Sequence, residues 1–202
     1  MKGNKTYLPL LYGVIFILLF NTIGSYMHSG LDLTSEKKHT LSKQTKKILS
    51  NLDDIIYIKV YLKGEFPSGF KRLEKQSRET LENFKNLAGK RLDFEFINPS
   101  ESSNEQERNA VYQQLVELGL QPTDLQVKEK TGMSSSIIFP GAIIYYKEKH
   151  FALELLKNQL GVAPQVALNN SIEMLEYELI SAISKLTKSR KEKIAFLSGH
   201  GE

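Results

Sequence analysis

The stretch "FPGAIIYYKEKHFALELL", Phe139 to Leu156, decides the fold. Its apolar residues form two short runs, Ala142 to Tyr146 and His150 to Leu155, separated by a "KEK" tripeptide too short for anything but a reversal. Strands joined that tightly are antiparallel neighbours. Upstream, "IIYIKVYLK" (Ile55 to Lys63) alternates, with Ile56, Ile58, Val60 and Leu62 on one face and Tyr57, Lys59, Tyr61 and Lys63 on the other. That period of two is a strand's. "RLDFEFI" (Arg91 to Ile97) repeats the pattern through Leu92, Phe94 and Phe96, and Pro99 ends it.

Between these strands the period changes. Phe66, Phe70, Leu73, Leu81, Phe84 and Ala88 make a stripe spaced by threes and fours, interrupted only by Ser77 and closed by Gly89. This predicts a long amphipathic helix, with Pro67 suited to its first turn. Ser103 and Gln106 have capping-box spacing for a second helix carrying Val111, Leu115 and Leu118 up to Gly119. A hairpin is expected around Thr131 to Ser134. "NQLGVAPQVALNN" reads as a loop, after which Asn170 and Glu173 cap a helix with Ile172, Leu175, Leu179, Ile183 and Leu186 on its buried face. Ahead of the first strand, Ser42 is a good N-cap for a helix carrying Ile48, Leu49 and Leu52.

The predicted class is α/β: strand, helix, strand, helix, an inserted hairpin, two antiparallel strands and a helix. Ile55 to Lys63, Arg91 to Ile97, Ala142 to Tyr146 and His150 to Leu155 are expected to share one mixed sheet, the first two parallel through a right-handed crossover. This order resembles a thioredoxin-like domain. Pro140, just before the terminal hairpin, stands where such domains place a proline that is usually cis, so Phe139–Pro140 is a candidate cis bond.

Between Lys5 and Asp32 there is no Asp, Glu, Lys or Arg, and Tyr7 to Met27 is strongly apolar. A helix needs about 20 such residues to cross the hydrocarbon core, so a transmembrane helix is expected. Lys2 and Lys5 precede it and Lys37 follows well beyond, which leaves the N-terminus in the cytoplasm and the rest exported. A cleavable signal peptide is the rival reading. "NTIGSYMHSG" offers no clean A-x-A site, which favours a retained anchor.

The expected organisation is an anchor over 1–30, a juxtamembrane segment and helix over 31–54, the exported domain over 55–188, and a linker with the first strand of a truncated following domain over 189–202.

Composition excludes several functions. The 202 residues carry 41% hydrophobic and 25% charged residues and a net charge of +4, with acids and bases interspersed, so the chain is globular and nucleic-acid binding is not favoured. The absence of cysteine removes disulfide exchange and thiolate metal sites. His28, His39, His150 and His200 are scattered, without metal-ligand spacing, and read as solvated. No catalytic, cofactor-binding or metal residue is expected. The basic run "KLTKSRKEK" (Lys185 to Lys193) complements a helix C-terminus and continues as a solvated linker; attraction to anionic headgroups or an acidic partner is the alternative.

Several stretches together, "LTSEKKHTLSKQTKKILSNLDDIIYIKVYLKGEFPSGFKRL", "FEFINPS", "IIFPGAIIYYK", "NNSIEMLEYELISAISKLT" and "KIAFLSGHGE", resemble the GldG family, over essentially the whole chain. That family is the membrane-anchored auxiliary subunit of an ABC transporter associated with gliding motility in bacteria of the Bacteroidetes type. The resemblance implies a single-pass protein of the cytoplasmic membrane with its domain in the periplasm. It also implies a non-enzymatic role, no cofactor, ABC permease and ATPase partners, and a further extracytoplasmic domain beginning at the "GHGE" end, usually followed in the family by a second span near the C-terminus, so that the single pass is expected of these 202 residues alone. Helix Asn170 to Thr187 and a sheet edge are the expected contact surfaces. The alternative is an anchored hydrolase or ligand-processing enzyme whose site is built around His200 and Glu202.

Overall fold

The computed structural model describes residues 12–13, 15–19, 41–129, 132–157 and 161–188, and the chain divides into two units, Met1–Thr40 and Leu41–Glu202. In the first unit, 12–13 and 15–19 are helical, with Tyr12, Ile15, Phe16, Ile17, Leu18 and Leu19 exposed. The expected span, Tyr7 to Met27, lies for the most part outside the described residues. Among those described, no helix is long and apolar enough to cross a membrane.

The second unit opens with α1 (Lys43–Ser50). Ser42 caps it, its side chain accepting from Thr45 N–H, and Leu49 and Leu52 are buried. Strand β1 (Ile56–Val60) alternates between buried and half-buried, as its period dictates. Helix α2 (Ser68–Ala88) buries Phe70, Leu73, Ser77, Leu81, Phe84 and Ala88, the predicted stripe without its first member, Phe66, which is half-buried in the loop before the helix. Pro67 stands one residue outside the helix, at its N-cap, with extended backbone. Gly89 ends it at φ +61°, a left-handed conformation that only glycine adopts without steric cost. Strand β2 (Leu92–Phe96) follows.

Helix α3 (Glu105–Glu117) is capped by Asn104, whose side chain accepts from Gln106 N–H at 2.9 Å, and not by Ser103 as the sequence suggested. Asparagine reaches the second helical N–H equally well, and Arg108 already holds the carbonyls of Ser102 and Ser103 at 2.9 Å each. Strands β3 (Thr123–Glu129) and β4 (Gly132–Ile138) form a two-stranded sheet of their own. Glu129 pairs with Gly132, and 130–131 lie outside the described residues. Met133 and Ser134, expected in the turn, are strand residues opposite Lys128 and Val127.

Strands β5 (Gly141–Tyr146) and β6 (Lys149–Glu154) are the deciding hairpin, reversed by Lys147 and Glu148. Lys147 has positive φ there, +55°. The last helix, α4, runs from Pro164 to Thr187. The expected loop over 164–170 and the Asn170 and Glu173 cap are therefore wrong. Pro164 sits at the first helical position, where its fixed φ and missing N–H cost nothing, and Ala167 and Leu168 extend the buried stripe by a turn and more.

The main sheet has the order β2-β1-β5-β6, with β1 parallel to β2 and the other pairs antiparallel. It is the mixed sheet expected from the four alternating segments. Helices α1, α2 and α4 cover the face carrying Ile56, Ile58, Val60, Ala142, Ile144 and Leu153, which is the larger core. A smaller core on the opposite face joins Tyr61 and Ile143 to Leu115, Leu120 and Phe139.

The Phe139–Pro140 bond is trans, against the candidate cis assignment. Gly141 N–H donates back to Phe139 O at 2.8 Å across Pro140, and Pro140 O accepts from Leu155 N–H at 2.8 Å. A three-residue turn of this kind suits the fixed φ of proline without isomerisation.

The break in the α2 stripe also has a consequence. Ser77 is fully buried, and its hydroxyl has no hydrogen-bond partner among the described residues. A desolvated hydroxyl without a partner destabilises, so Ser77→Ala is expected to raise stability by about 1 kcal/mol, measured by urea unfolding.

Candidate interaction surfaces

Four surfaces stand out. On α4, successive residues turn by about 100°, which sets Val166, Met174 and Tyr177 on one outer face while Leu175, Leu179 and Ile183 fill the core behind it. Val166 is 48% exposed, Met174 38% and Tyr177 66%. Asn170 and Glu173 share this outer face, so the helix presents three exposed apolar side chains set among polar ones.

Between α3 and β4 lies an apolar groove of about 370 Å³ lined by Tyr112, Val116, Pro122, Ile137 and Phe139, with Gln113 and Glu117 at its polar margin. The Tyr112 ring stacks obliquely on Phe139, centroids 5.3 Å apart, and its hydroxyl bonds Ser100 Oγ at 2.8 Å. A smaller, more polar hollow of about 250 Å³ lies between β6 and α4. There Lys157 pairs with Glu178 at 3.0 Å and the Lys185 ammonium sits 5.4 Å from the Phe151 ring centre.

The fourth surface is the part of the sheet face on the α3 side that carries Asp93, Tyr57, Tyr145 and His150. Register sets these four in one row across all four strands. Tyr145 and His150 rings are 6.3 Å apart, and Lys59 links Glu95 at 3.7 Å to the Tyr57 ring. A hydrogen bond to Glu95 pushes the Tyr57 hydroxyl pKa up. Burial drives Tyr61 up to about 12, so neither phenol supplies a phenolate at neutral pH.

Elsewhere the electrostatics are structural. Glu176 of α4 accepts from Ser42 N–H at 2.8 Å and from Thr45 Oγ1 at 2.6 Å, placing a carboxylate at the positive end of α1. The Tyr146 hydroxyl bonds Asp53 and holds its carboxyl below the usual range. Burial raises the Glu154 carboxyl, opposed by the Gln121 N–H at 2.7 Å and by Lys157.

The sign for Glu154 follows from linkage. Its folded pKa lies above its unfolded one, so its contribution to stability is fully present below the unfolded pKa and is lost as pH rises through the folded pKa. Glu154→Gln keeps the acceptor and removes the desolvated charge. At concentrations where the chain is monomeric, its melting temperature is expected to equal or exceed the parent's at pH 7 to 8, with the difference vanishing near pH 4; a lower value at pH 7 would contradict this.

The residues singled out in the sequence are dispersed. His200 and Glu202 lie outside the described residues, as do His28 and His39. His150 is exposed on β6. In "KGEFPSGF", Phe66 packs on Phe70 with ring centres 6.3 Å apart, and the loop leads into α2. Of the basic run, Lys185 lies on α4 and 189–193 fall outside the described residues. Among the described residues, no group of three or more His, Asp or Glu could hold a metal ion. The groove escaped the sequence reading because α3 and β4 meet only in three dimensions. Val116, an exposed apolar residue in the last turn of α3, was its one visible sign.

Residues 35–145 match the family described as "Domain of unknown function (DUF7088)". A protein of Borreliella burgdorferi described as "Uncharacterized protein" is 24% identical over 198 residues, covering 98% of this chain and 35% of its own length. The chain thus spans about a third of that relative. No solved structure matches the chain.

Proposed function

The chain belongs to the DUF7088 family, and we propose that it is a non-enzymatic, membrane-anchored auxiliary subunit of an ABC transporter associated with bacterial gliding motility, similar to GldG, with its domain outside the cytoplasmic membrane. The observation that carries the reading is the outer face of α4. It bears exposed Val166, Met174 and Tyr177 on the helix that also holds "NNSIEMLEYELISAISKLT", one of the stretches resembling that family. Exposed apolar side chains set among polar ones on the outer side of a helix suit contact with another protein or a lipid surface.

The fold reading under this proposal is thioredoxin-like. The sheet order β2-β1-β5-β6, with its parallel first pair, antiparallel hairpin and helices on both faces, supports it. With no cysteine at the β1 to α2 loop, such a scaffold serves as a binding platform, not as a redox centre.

The test is affinity isolation of the protein from solubilised native membranes. An ABC ATPase and permease are expected to copurify, and the paired substitutions Met174→Ala and Tyr177→Ala are expected to release them while leaving thermal unfolding unchanged. Their repeated absence, together with a hydrolytic activity abolished by His200→Ala, would replace this reading with an enzymatic one. For topology, protease added to spheroplasts should degrade a tag fused after Glu202; full protection would reverse it.

A further inference from the structure

The two edges of the main sheet are finished differently. On β2, Ile97 N–H donates to Val60 O, so the N–H groups of Phe94 and Phe96 point away from β1. Phe94 N–H is taken by the Asp93 carboxylate at 2.9 Å, which blunts that edge. On β6, Leu155 N–H donates to Pro140 O. Paired residues of an antiparallel ladder alternate between exchanging hydrogen bonds and not, so Leu153, Phe151 and Lys149 bond β5, and His150, Ala152 and Glu154 direct their backbone groups outward. No side chain among the described residues caps these groups, and the strand contains neither proline nor bulge.

We propose that this edge pairs with β6 of a second copy of the chain, antiparallel about a twofold axis at Ala152, joining the two sheets. The sequence of β6 is complementary to itself in that register. Ala152 opposes Ala152 of the partner subunit, a small residue where the strands are centred. His150 lies opposite the partner's Glu154, and Glu154 opposite the partner's His150, on one face, so an imidazole N–H meets a carboxylate at both ends. Gln121 N–H occupies Glu154 Oε1, which leaves Oε2 for the histidine. Only outward-facing residues can exchange bonds, so the register moves in steps that keep even-numbered residues opposed. One step toward the N-terminus opposes Glu148 and the partner's Glu154, two like charges, and one step the other way leaves His150 facing an apolar Leu156. Charge therefore selects the axis at Ala152.

The absence of native cysteine makes the test specific. Residues directly opposed in a hydrogen-bonded antiparallel pair have Cα atoms about 5.5 Å apart, within disulfide range. The full 202-residue chain carrying Ala152→Cys, in detergent under mild oxidant, is expected to give a disulfide dimer roughly tenfold stronger than Glu101→Cys, because pairing holds the thiols at high effective concentration. Adding His150→Glu should abolish the difference and His150→Lys should keep it. The chain without cysteine should sediment as a dimer, and its His150→Glu variant as a monomer. Cross-linking no stronger at 152 than at 101, cross-linking unaffected by His150→Glu, or a monomeric parent would each overturn the proposal. A monomeric parent is also the result expected if a strand of another protein, or a later segment of this chain, occupies the edge.

Discussion

Phe84→Ala is expected to destabilise the domain by about 3–5 kcal/mol, a large part of what a domain of this size has. Phe84 is fully buried in the middle of the α2 stripe, among the largest side chains with no exposure. Truncation removes its transfer energy and leaves a cavity that α2 cannot close, because the helix is held along its length by α4, α1 and β2. Phe84→Leu, which retains most of the volume, should cost far less. Urea unfolding of the three proteins measures both steps; a Phe84→Ala loss under about 1 kcal/mol would show a core that collapses around the gap.

The second large effect is expected at a position with no side chain. A Cβ on Gly141 would lie 2.5 Å from Leu120 Cδ2 and 3.0 Å from the backbone oxygen of Leu153. Leu120 is fully buried, and Leu153 is fixed in β6 by the pairing with β5, so neither yields without disturbing the hairpin. Gly141→Ala is expected to cost about 1–3 kcal/mol. Gly69 is the control: its added Cβ would meet side-chain atoms and no backbone, Leu168 Cδ1 at 2.7 Å, Gln165 Oε1 at 3.6 Å and Leu168 Cγ at 3.9 Å, and a leucine tip shifts more readily than a paired strand. Gly69→Ala is therefore expected to be close to neutral. Equal losses at the two glycines would mean that the backbone of β6 gives way as easily as a leucine tip.

These contrasts mark what was legible in the sequence. Where burial has one period, the residues announce it: Ile56, Ile58 and Val60 give β1, and Phe70 to Ala88 give α2 almost to the residue. Where composition and packing disagree, composition misleads. Pro164 and the pair Asn169 and Asn170 look like a loop, yet Ala167 and Leu168 face the core and carry the helix through them. The separation of β3 and β4 from the main sheet, the trans Pro140 turn and the groove at Phe139 all depend on which distant segments meet. No local period encodes that. The outer face of α4 was half legible, because Met174 and Tyr177 lay in the predicted helix while Val166 lay in the supposed loop.

The antiparallel pairing of β1 with β5 also orders events in time. Val60 meets Ala142, and Ile56 meets Tyr146, so the two central strands are separated by more than eighty residues of chain. Closing a loop of that length costs roughly 4 kcal/mol of chain entropy before any contact across it is gained. During synthesis, β1, α2 and β2 emerge early and can associate, but their apolar faces stay uncovered until β5 appears, and α4 arrives last to seal Ile58 and Ile144. Folding of this domain thus waits for its own C-terminal helix, and a nascent chain stopped before Leu175 presents the inner face of the sheet to whatever chaperone or membrane lies nearest.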